Sequence, residues 1–105
     1  MRLRLWKRRV AVEAYGATIT HLLAAETDTL RIALLTGALA LTITDPNAKD
    51  GDFFNLVLTA DTTQRVVTMA GDAVGTVTVP ISKSMNVRFV YSEGVSKYVP
   101  AGYGT

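Results

Sequence analysis

Apolar and polar residues alternate with a two-residue period over much of the chain. Leu39, Leu41 and Ile43 alternate with Ala38, Ala40, Thr42 and Thr44. Phe54, Leu56 and Leu58 alternate with Phe53, Asn55, Val57 and Thr59, and Met85, Val87, Phe89 and Tyr91 with Asn86, Arg88 and Val90. That period describes a strand with one face on a core. Taken along the chain, the pattern predicts strands near 9–14, 29–36, 38–44, 53–60, 65–69, 74–79, 85–91 and 96–99. His21 to Leu35 is ambiguous, because Leu23, Leu30 and Leu34 also fit one helical face. After Thr29 the alternation of Leu30, Ile32 and Leu34 favours a strand; a short helix or turn around 21–26 stays open.

Polar turn formers separate the runs. Asp45 to Asp52 includes Pro46, Asn47 and Gly51, while Asp61-Thr62-Thr63-Gln64 is a link of hairpin length. Ala70-Gly71-Asp72 and Ser92-Glu93-Gly94 mark two more turns. Turns about 8–12 residues apart predict an all-β fold, an antiparallel β-sandwich or jelly-roll-like domain. Composition agrees: the 105 residues include fourteen Thr and twelve Val, both β-branched. The length fits one domain, read as a β-sandwich over 21–105 behind an extended basic N-terminal arm over 1–20.

Charge is what sets the arm apart. Residues 1–9 carry five cations (Arg2, Arg4, Lys7, Arg8, Arg9) and no anion, whereas residues 10–105 carry six cations against nine anions. In an extended arm Arg2, Arg4 and Trp6 share one face and Leu3 and Leu5 the other. Arginines fork onto carboxylates and stack on rings. Arg2, Leu3, Arg4, Leu5, Trp6, Lys7, Arg8 and Arg9 are therefore the candidate partner-binding residues, with an acidic protein surface as the expected partner. Nucleic acid is the lesser expectation, because no basic stripe continues into the body. Glu13 interrupts Val10-Ala11-Val12, so no secretory signal is predicted. Glu26, Asp28 and Arg31 break the apolar stretch from Leu22 to Ile43, so no membrane span is expected. The chain reads as soluble and complete from its own Met.

Candidate chemistry is sparse. Zero Cys excludes disulfides and thiolate chemistry, and one His excludes multi-His metal sites. His21 near Glu26 and Asp28 matches no ligand signature and reads as a surface or packed histidine. Asp45, Asp50 and Asp52 with Asn47 resemble a calcium loop, but Pro46 and Lys49 intrude, and a solvated turn is the better reading. Ser82 and Ser84 have no elbow pattern around them. No catalytic set, metal site or cofactor is predicted.

Residues 29–102 resemble a β-rich segment found near the ends of many tailed-phage structural proteins. The pieces that carry the resemblance are ALALTITDPNAKDGDFFNLVLTAD (38–61), RVVTM (65–69) and MNVRFVYSEGVSKYVPAG (85–102). Tyr98 stands where such segments commonly have Trp, and the linker from Thr68 to Pro80 is shorter than usual. The resemblance implies a non-enzymatic virion protein that decorates or cements a capsid and binds the major capsid protein. It also implies a homo-oligomer, often a trimer; a tail or fibre component with a receptor- or glycan-binding role is the alternative. Adjacent Phe53 and Phe54 point to opposite faces of one strand, so the aromatics Phe53, Phe54, Phe89, Tyr91 and Tyr98 are the candidate oligomer interface.

Overall fold

A computed structural model describes residues 9–23 and 27–104. Nine strands occupy them: β1 (Arg9–Glu13), β2 (Thr18–Leu22), β3 (Thr27–Ile32), β4 (Leu39–Thr44), β5 (Phe53–Thr59), β6 (Arg65–Gly71), β7 (Thr76–Val79), β8 (Ser84–Ser92) and β9 (Lys97–Gly104). They form a five-stranded sheet in the order β1-β3-β5-β8-β9 and a four-stranded sheet in the order β2-β4-β6-β7. Up to β6 the chain crosses to the other sheet after every strand. Each circuit lays its strands beside those of the circuit before, in the same direction. β1 and β5 thus flank β3 in parallel, and β2 and β6 flank β4 in parallel. Only then does the chain reverse, with β7 antiparallel to β6, β8 to β5 and β9 to β8.

The all-β expectation holds, and the antiparallel one is corrected to a mixed arrangement. Parallel neighbours need a long crossover between them; here the crossover is a strand of the opposite sheet. The two-residue period is the same for either direction, so it does not tell them apart. Asp61 to Gln64 is not a hairpin: it carries the chain from β5 in one sheet to β6 in the other. The pattern also missed β2. Thr18-Ile19-Thr20 is a strand whose Ile19 faces inward, and His21 and Leu22 continue it rather than starting a helix; residues 24–26 lie outside the described ones. Of the residues assigned to an arm, 9–13 and 18–20 lie in strands of the body.

The inward side chains of both sheets belong to one cluster. Leu30 and Ile32 of β3, Leu39, Leu41 and Ile43 of β4, and Phe54, Leu56 and Leu58 of β5 are at most 2% exposed. Val67, Val77, Val87 and Phe89 close it from β6, β7 and β8. Phe54 lies opposite Phe89 in the ladder, with the rings parallel and their centroids 5.1 Å apart. Tyr98 meets Phe54 edge-on at 5.0 Å, and Tyr91 meets Tyr98 in the same way at 5.2 Å. Edge-on and offset contacts of this kind stabilise by about 0.5–1.5 kcal/mol beyond the area they bury.

Gly71 ends β6 at φ 73°, a left-handed conformation that only glycine adopts without strain. A methyl group there would sit 2.5 Å from the carbonyl oxygen of Ile43. Gly51, at φ 91°, has open space on the same side. Gly51→Ala is therefore expected to cost about 1–2 kcal/mol through backbone conformation alone. Gly71→Ala should cost at least about 1 kcal/mol more, because the backbone of β4 must move. Urea denaturation of the two variants measures the difference, and equal losses would show that β4 yields at this point.

Candidate functional site

Aspartates organise the corners between strands. Asp45 accepts the backbone N–H of Asn47 (3.3 Å), Asp50 that of Glu93 (3.0 Å) and Asp52 that of Lys49 (2.9 Å). Asp61 accepts the N–H of Thr63 (3.1 Å) and Asp72 that of Asp45 (2.8 Å). The carboxylates that resembled a calcium loop thus hold turns, and among the described residues no three acidic or imidazole groups gather closely enough to hold a metal ion. Such side-chain bonds to nearby N–H groups are what Asp supplies in turns.

Three polar ties go further. The buried Tyr98 hydroxyl donates to Asp45 Oδ2 at 2.7 Å, from β9 of one sheet to the chain leaving β4 of the other. Beside it Tyr98 N–H donates to Asp72 O, Val74 N–H to Tyr98 O, and Lys97 Nζ to Gly71 O. Burial first, and the hydrogen bond to Asp45 second, push the Tyr98 phenol well above its ordinary value. The second tie is a fork: Arg65 Nε and Nη2 donate to the two oxygens of Asp61, each at 2.9 Å. The Arg65 guanidinium holds the Asp61 carboxyl below its ordinary 3.8. In the third, His21 Nδ1–H donates to Glu13 Oε2 at 2.6 Å, joining β2 to β1 across the sheets. Among the described residues the partner of His21 is therefore Glu13, eight residues away in the sequence.

The expected interface aromatics separate. Phe54, Phe89 and Tyr98 are at most 1% exposed within a single copy of the chain, so they form its core and not a contact surface. The physical reason lies in the alternation: Phe54 and Phe89 share the inward parity of β5 and β8. Tyr91 is half-buried against the same core. Phe53 alone of the five faces outward in the open, and the Arg88 guanidinium lies 4.0 Å from its ring centre. Arg2, Leu3, Arg4, Leu5, Trp6, Lys7 and Arg8 lie outside the described residues, while Arg9 opens β1.

The outer faces of the two sheets differ in kind. On the five-stranded sheet, exposed Arg31 and Arg88 stand among Val57, Asn86 and Phe53. On the four-stranded sheet the outward rows are Thr18–Ala40–Thr68–Thr76 and Thr20–Thr42–Ala70, with Leu22 beside Thr44 and Val66 beside Thr78. No charged side chain stands in those rows. The signal was present in the sequence as three triplets, Thr18-Ile19-Thr20, Thr42-Ile43-Thr44 and Thr76-Val77-Thr78.

No family model matches the chain, and no curated protein matches it. A solved structure described as a chaperone–substrate complex aligns with 87% of this chain at 10% identity and a TM-score of 0.35. The chain spans 14% of the length of that neighbour.

Two pH limits follow from the ties. The unfolded chain ionises Tyr98 near pH 10, whereas the folded chain keeps the phenol protonated. Its contribution is thus complete below pH 10 and is lost as pH rises above it. Tyr98→Phe should remove that alkaline loss and destabilise the protein at neutral pH by about 1–3 kcal/mol, since Asp45 loses a donor. Asp61 has the opposite sign: its contribution is present above 3.8 and fades as pH falls below that value. Asp61→Asn should flatten this acid limb. Denaturant midpoints recorded from pH 2 to pH 11 test both, and a Tyr98→Phe profile parallel to wild type above pH 10 would reject the first.

Proposed function

We propose that this chain is a non-enzymatic virion protein that decorates or cements a phage capsid by binding the major capsid protein. In this reading the two sheets are a β-sandwich body, the basic residues before β1 form an attachment arm, and the working unit is a homo-oligomer, a trimer in the first instance. The observation that carries it is the ordered succession of strand-like pieces over residues 29–102 that resembles phage structural segments. Those pieces fall on β4–β5, β6 and the β8–β9 hairpin. The charge layout supports it further: five cations lie in residues 1–9, while the remainder of the chain has an excess of anions. An arm of one sign on a body of the other favours docking on an acidic protein surface without drawing nucleic acid along the whole molecule.

Phage particles mixed with the full chain should retain it through sedimentation, at a copy number in the hundreds. Removing residues 1–8 stops short of β1 and should leave the body folded while abolishing retention. Higher salt should weaken the binding of the full chain, because exposed charges are screened over about 8 Å at physiological ionic strength. A truncated chain that still decorates particles with unchanged affinity would remove the arm from the reading. Binding to free DNA as tight as binding to particles, with steep salt dependence, would replace the capsid partner by nucleic acid.

A further inference from the structure

We infer that the outer face of the four-stranded sheet is where a second copy of this chain packs, like face against like face. The inference rests on the self-association in the reading above and gives it a surface, in place of the core aromatics first expected there; a like-on-like contact closes as a dimer, so it revises the trimer to a pair of copies.

Two independent features single out this sheet. The first is charge. A two-fold interface between identical copies brings each residue near its own counterpart or a close neighbour. Like charges directly opposed across such a contact are destabilising. Face-to-face packing of the five-stranded sheets would bring exposed Arg31 and Arg88 of both copies together. The rows Thr18–Ala40–Thr68–Thr76 and Thr20–Thr42–Ala70 bring only methyl and hydroxyl groups. The same neutrality argues against a nucleic acid or anionic surface as the occupant, since neither finds a cation there.

The second feature is the edges. Free sheet edges are normally blunted by charge, proline or a bulge. The five-stranded sheet has these devices: a register shift at Arg9/Val10 and Glu13 on β1, and Pro100 and a shift at Arg88/Phe89 beside β9. The four-stranded sheet ends in β2 and β7, which contain no Lys, Arg, Asp, Glu or Pro and pair without a register shift. A neutral, threonine-rich sheet whose edges carry none of these devices among the described residues suits a surface that is covered in the working assembly.

Area decides the strength. Four strands spaced about 4.8 Å apart and about five residues long span roughly 19 by 17 Å, or about 300 Å² in projection. A standard stable interface takes about 800 Å² from each partner. Contact through this face alone is therefore reversible and dependent on concentration.

Sedimentation velocity of the full chain across the micromolar to millimolar range tests this. The wild-type sedimentation coefficient should rise with concentration. Thr68→Lys, in the middle of the face, should weaken association about tenfold or more with an unchanged circular dichroism spectrum. Asn86→Lys adds the same charge to the other sheet and should associate like wild type. Thr68→Val keeps the shape and should associate at least as well. If Thr68→Lys does not fold, Thr18→Lys places the charge in the same row on the edge strand β2. A wild-type chain that stays monomeric throughout overturns the inference, as do Lys variants of this face that associate normally. Asn86→Lys dissociating as fully as Thr68→Lys overturns it too. A monomeric chain that still sediments with particles would overturn this inference and the homo-oligomer with it, and leave the capsid-binding reading standing. A self-associating chain that never does so would overturn the decoration reading alone.

Discussion

The buried hydroxyl of Tyr98 fixes the two sheets to one another by direction and not merely by apolar contact. A core of Leu, Ile and Val side chains holds two sheets together but leaves them some freedom to slide. Tyr98 removes that freedom, because its ring fills the core edge-on to Phe54 while its oxygen must reach Asp45. A buried phenol without a partner costs on the order of 1–3 kcal/mol, so the position of β9 is tied to that of the turn after β4. Asp72 completes the arrangement by accepting from both Asp45 N–H and Tyr98 N–H. That geometry needs β6 to turn away sharply, and Gly71 supplies the turn.

This tie explains why the last strands run as they do. From β1 to β6 the chain circulates between sheets, and such a coil has no intrinsic end. β7 covers the free edge of β6, and β8 covers that of β5. β9 then lies beside β8 and brings Tyr98 back to the β6–β7 turn. At the other end of the coil β1 and β2 have no such cover among the described residues, and the His21–Glu13 pair joins them across the end of the core.

Much of this was legible in the sequence and some of it was not, for identifiable reasons. The β4, β5 and β8 alternations named their strands to within about a residue, because each buries one face of a single core. The same alternation gave no strand direction, since the period depends on which face is buried and not on which neighbour is bonded. β2 was hidden because only Ile19 in Thr18-Ile19-Thr20 is apolar. The aromatic set failed as a unit: side-chain type does not report parity, and Phe53 and Phe54 differ in burial only because they are consecutive. The ties of Tyr98 to Asp45 and His21 to Glu13 join residues 53 and 8 positions apart. No local spacing rule reaches such pairs.

The corners explain the faces. Asp45, Asp50, Asp52, Asp61 and Asp72 each accept a backbone N–H in or beside a turn. Acidic charge is thereby drawn to the ends of the strands, where water still reaches it and turn geometry needs it. The strands of the four-stranded sheet keep β-branched side chains, which suit a pleated surface. A chain built this way has two kinds of contact available. Its corners and its basic first residues interact electrostatically and weaken with salt. Its threonine face offers contact by fit, with little charge to desolvate and little to screen. Because the two differ in physical origin, the proposed attachment to an acidic partner should respond to ionic strength while the proposed contact between copies should not.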